Sequence, residues 1–149
     1  MDPNATKEMQ HIVDSLILRA RQQGPRYKAF TTTCIVPTGT PTLPYLARKL
    51  DLAMLGTEPN VCLALGMAII DIWGANKGNP AVEKSKEKIL NLLRSRPAVD
   101  PAIKMVRLEL RKEANKPESR HASHFLAGPI KPSACLEAAQ ARRLPLLRN

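Results

Sequence analysis

VCLALGMAIIDIW, Val61 to Trp73, is the most apolar run in the chain. Thirteen residues are too few to span the hydrocarbon of a bilayer, and Asp71 interrupts them, so the run predicts a buried core helix. Such a helix needs apolar neighbours on several sides. If too few helices surround it, the same face becomes a surface for self-association.

Glu58-Pro59 opens this helix, and two more begin alike at Asn79-Pro80 and Asp100-Pro101. Proline suits the first helical position because its missing N–H would be unpaired there anyway, and Asn and Asp are good caps where Glu is weaker. These starts predict helices over Pro59–Trp73, Pro80–Ser95 and Pro101–Asn115. The three prolines recur every 21 residues. A unit holding only one helix is too short for a two-helix solenoid repeat, so the spacing reads as three successive helices.

Upstream, Met9, Ile12, Val13, Leu16, Ile17 and Ala20 recur at helical spacing, with Pro3 at the start and Gly24-Pro25 at the end. Another helix is expected from about Pro44 to Leu55, with Leu46, Leu50 and Ala53 inward and Gly56 as its stop. Between them YKAFTTTCIV, Tyr27 to Val36, is rich in β-branched and aromatic residues and reads as a short strand or extended arm. Turn-rich PTGTPTLP follows it. The expected fold is all-α: a compact bundle of five to six short helices, an extended 27–43 segment and an irregular basic C-terminal tail. The helical domain covers 1–116. Residues 117–149 form a proline-rich basic segment with one short helix over Ser133–Leu144.

Charge is laid out unevenly over the 149 residues. Residues 1–76 carry seven basic and six acidic side chains, residues 77–149 sixteen and seven, and the net charge is +10. That asymmetry points to a polyanionic partner: nucleic acid, RNA favoured, or an anionic membrane surface. Lys77, Lys84, Lys88, Arg94 and Arg96 lie before, along and just after one predicted helix. Lys104, Arg107 and Arg111 fall within about 60° of one another on the next. These eight are the candidate nucleic-acid-binding residues. Aromatic residues are only 3% of the chain and none lies between 74 and 124, so base stacking is unsupported and contacts would go to phosphates without sequence readout.

Other chemistry is thinner. His121 and His124 lack further ligands at zinc spacing, and Ser123 lacks the surroundings of a nucleophile elbow. GANKG, Gly74 to Gly78, lacks the ending of a phosphate-binding P-loop and reads as a turn. Asp71 is read as belonging to a partly exposed last turn rather than paired with Arg19, Arg48 or Lys49. Cys34, Cys62 and Cys135 are an odd, scattered set and read as free thiols in a reducing compartment. MDPNATKEMQ lacks the features of a secretory leader, so a cytoplasmic or nuclear location is expected.

No enzyme, cofactor or metal is therefore expected. The reading is a basic helical protein that packages or scaffolds nucleic acid, of the kind found among viral structural and accessory proteins. The alternative is a protein–protein assembly or matrix-like adaptor domain whose basic face meets an anionic membrane.

Overall fold

The computed structural model describes residues 3–23, 27–98 and 100–116, and every element in it is helical. The expected basic tail, its Ser133–Leu144 helix and the domain division after residue 116 lie outside the described residues. In chain order the helices are α1 (Pro3–Gln23), α2 (Lys28–Phe30), α3 (Leu43–Leu55), α4 (Pro59–Ala75), α5 (Pro80–Ser95) and α6 (Pro101–Ala114).

Helix α4 is the centre. It packs against α1, α3 and α6, while α5 lies between α3 and α6. Val61, Cys62, Ala64, Leu65, Ala68, Ile69, Ile72 and Trp73 are all buried, so helices of the same chain cover most of this run, while Leu63, Met67 and Ile70 on its remaining side are partly exposed. Close approach to α6 needs Gly66: a Cβ there would lie 2.6 Å from Val106 Cγ1. The indole N–H of Trp73 donates to Ser85 Oγ at 3.1 Å, so that buried polar atom is paired across α4 and α5.

The starts of α5 and α6 follow from their caps. Asn79 accepts from the Ala81 N–H, and Asp100 accepts from the N–H groups of Ala102 and Ile103. Glu58 makes no such bond at the start of α4, and its carboxylate is used elsewhere.

One expectation is corrected. The 27–43 segment is not extended: α2 widens into a π-helical turn over Thr31–Ile35, followed by 3₁₀ turns over Val36–Thr38 and Thr40–Thr42. Tyr27, Phe30, Thr31, Cys34 and Ile35 are buried at helical offsets, one face turned to α1 and α4. The Tyr27 carbonyl accepts from both the N–H and the Oγ1 of Thr31. With no second strand among the described residues to pair its backbone, only the helical conformer satisfies those groups while burying that face.

Candidate nucleic-acid interface

Five of the eight candidate residues are exposed helical side chains, and Lys77 is exposed in the loop before α5. Among the described residues Lys77, Lys84, Lys88, Lys104 and Arg111 make no ion pair, and Arg94 donates only to Asn91 Oδ1 within its own helix. The other two are committed to the fold. Arg96 grips the Asp51 carboxylate of α3 with Nε at 2.6 Å and Nη2 at 3.3 Å, which holds its guanidinium pKa above the ordinary value. Arg107 Nη2 donates to the Leu93 carbonyl at 2.6 Å, and its buried Nε has no hydrogen-bond partner among the described residues.

The six remaining cations do not form one stripe. Lys84 and Lys88 line a small cleft of about 120 Å³ with Thr40 and Pro44, on the side of α5 that meets the start of α3. Lys84 also borders the other flank, where it lines an open groove with Glu83, Glu87 and Arg94 that reaches Ala114 at the end of α6. Lys86, on that flank too, is nearly buried and paired with Glu83 at 3.3 Å. On α6, Lys104 and Arg111 flank Arg107, whose contact with Leu93 fixes that edge of α6 beside α5. The basic surface therefore wraps around α5 and the adjacent edge of α6, divided by Glu83 and Glu87.

The GANKG turn behaves as one. Gly78 has φ +86°, and the Asn79 N–H donates to the Asn76 carbonyl, so glycine is needed for backbone geometry. Asp71 is partly exposed and forms no ion pair among the described residues. Burial raises its pKa, which the nearby charge of Lys28 only partly offsets.

A polar groove that the sequence did not signal lies between α1, α3 and the start of α4, with a volume of about 460 Å³. Arg21 binds Glu58 through two bonds across its mouth, and this hydrogen bonding keeps the Glu58 pKa below its usual value. Asp14 accepts from Tyr45 Oη at 2.9 Å and lies 3.6 Å from Lys49 Nζ. His11 Nε2 is buried beside them and has no hydrogen-bond partner among the described residues. Residues 37 apart in the chain, such as Arg21 and Glu58, give no local pattern from which this groove could be read.

The cysteines divide. Cys62 is free and sealed in the core, where burial pushes its thiol up to about 12. Cys34 is disulfide-bonded, which corrects the reading of three free thiols; its partner is not among the described residues, and cysteine spacing alone carries no sign of such a pairing. No group of three or more His, Cys, Asp or Glu converges among the described residues, and His121 and His124 lie outside them. No described helix is long and apolar enough to cross a membrane.

No protein-family model, curated protein or solved structure matches this chain.

Proposed function

We propose that this protein binds nucleic acid, RNA in preference, through phosphate contacts and without reading sequence, as a packaging or scaffolding component rather than an enzyme. One observation carries the reading. Lys77, Lys84, Lys88, Lys104 and Arg111 stand exposed on and around α5 and α6 with no carboxylate partner among the described residues. Cations left unneutralised in water gain most from meeting phosphates, because each contact releases condensed counterions. Arg94 adds a sixth charge at the seam of the two helices. Arg96 and Arg107 drop out of the interface and act in holding the scaffold together.

The test is a salt titration of binding to a labelled single-stranded RNA, using the full chain freed of co-purifying nucleic acid. Each phosphate contact adds about 0.7 to the slope of log K against log salt. Lys84→Ala/Lys88→Ala and Lys104→Ala/Arg111→Ala should each lower that slope and weaken binding at low salt. An absence of binding at low salt, or identical titrations for all three proteins, rejects the proposal.

A further inference from the structure

The outer face of α6 carries a feature that phosphate binding leaves unused. Met105 and Leu108 are 61% and 51% exposed, although both are large apolar side chains. Down the helix axis they sit about 60° apart, on the side opposite Ile103, Val106 and Leu110, which face the core. Lys104 and Arg111 stand on one flank of the pair and Lys112 between its members, Glu109 borders Met105 on the other flank, and Lys116 is exposed just past the end of the helix. Lys112 and Lys116 are 3.5 and 2.7 Å from Glu109 and Glu113. The Lys104–Arg111 flank has no carboxylate pairing with it among the described residues.

We propose that this face docks on the surface of a bilayer containing anionic lipid. Met105 and Leu108 enter the boundary between headgroups and acyl chains, and Lys104, Arg111, Lys112 and Lys116 meet the anionic headgroups around them. This face and an anionic bilayer are complementary in two ways at once. A nucleic-acid backbone answers the cations but offers nothing apolar to two side chains projecting from a convex helix. An anionic bilayer places a sheet of negative charge directly above hydrocarbon, which is the order in which this face presents its groups. Long lysine and arginine stems let the charges stay at headgroup level while the apolar pair goes deeper. The inference goes beyond nucleic-acid binding and does not depend on it.

The experiment is vesicle flotation of the full, nuclease-treated chain. It uses phosphatidylcholine vesicles with and without about 30% phosphatidylserine, the lipid whose charge attracts basic surfaces. The protein should float with the anionic vesicles and not with the neutral ones. Met105→Ser/Leu108→Ser, which changes no charge, should weaken that binding at least tenfold while leaving RNA affinity and melting temperature unchanged. Lys104→Gln/Arg111→Gln should weaken it to a similar degree. Leu108→Trp supplies a direct readout, since Trp73 is already buried: its emission should shift to the blue on anionic vesicles alone. Equal flotation with both vesicles, wild-type binding by the serine variant, or an unmoved emission spectrum of the Leu108→Trp variant overturns the proposal. The second of these would mean simple electrostatic adsorption. Loss of RNA binding in the salt titration leaves all of these outcomes untouched.

Discussion

Arg107 of α6 donates from Nη2 to the carbonyl oxygen of Leu93 at 2.6 Å, capping the last turn of α5 with a side chain from the next helix. The final carbonyls of a helix have no partner within it, and a cation there also meets the negative end of the helix dipole. A residue that looks from its spacing like part of a binding stripe thus also ties α6 to the end of α5. Arg107→Met should lower stability by about 1.5–3 kcal/mol, the range for a hydrogen bond to a charged group. The slope of the RNA salt titration should stay that of the wild type. Urea denaturation beside the titration separates the two roles; an unchanged midpoint with a reduced salt slope would return Arg107 to the interface.

The α4–α6 contact makes a second prediction. Alanine in place of Gly66 gains about 1 kcal/mol of helix propensity. The added Cβ, however, lands 2.6 Å from Val106 Cγ1, and a stiff β-branched side chain in a filled core has little room to retreat. Overpacking of this kind costs about 1–3 kcal/mol, so steric strain wins and Gly66→Ala should destabilise. Gly66→Ala/Val106→Ala should be less destabilised than the two single changes together, by at least about 1 kcal/mol. Strict additivity in the four denaturation curves would mean that the helices slide apart freely.

The contrast between these two sites shows what the sequence made legible. The starts of α5 and α6 are written locally, in Asn79-Pro80 and Asp100-Pro101, and the caps form as that chemistry requires. Gly56, similarly, falls where α3 ends. Segment 27–42 misleads because Thr31, Thr32, Thr33, Ile35 and Val36 raise β propensity, which is a weak preference where tertiary burial decides. The helical offsets of Tyr27, Phe30, Thr31, Cys34 and Ile35 are visible in the same letters and are the better guide. Nothing local marks Arg96 or Arg107 as structural, because their partners, the Asp51 carboxylate and the Leu93 carbonyl, come from elsewhere in the chain. Which of the basic residues are free is a property of tertiary packing.

Asp71 gives stability a pH dependence of definite sign. Partial burial holds its folded-state pKa above that of the unfolded chain, so between the two values the folded form binds more protons. Its contribution is fully present below the unfolded value and is lost as pH rises through the folded one. Asp71→Asn removes that loss. The variant should melt above the wild type at pH 7, and the gap should shrink toward its low-pH limit as the medium is acidified below the ordinary aspartate range. Thermal melts of both proteins at several pH values check this, and a gap that widens on acidification would refute the assignment.

At the α3–α4 junction the glycine sits one residue early. The Glu58 N–H donates to the Ala53 carbonyl and the Thr57 N–H to Met54, the bond pair of a Schellman turn whose left-handed position is Thr57, at φ +52°. Gly56, before it, has φ −81°, which any residue adopts. A β-branched side chain in the left-handed region crowds its own carbonyl, at a cost of about 1–2 kcal/mol. Thr57→Gly relieves that strain, while the extra freedom of glycine in the unfolded chain cancels part of the gain, about 0.4–1 kcal/mol. The net expectation is stabilisation of up to about 1 kcal/mol, seen as a higher urea midpoint with an unchanged slope. Gly56→Ala should be nearly neutral, because a Cβ at Gly56 meets only the Leu52 carbonyl oxygen at 3.4 Å. If Thr57→Gly destabilises and Gly56→Ala does so more strongly, the chain leaves α3 by a different turn.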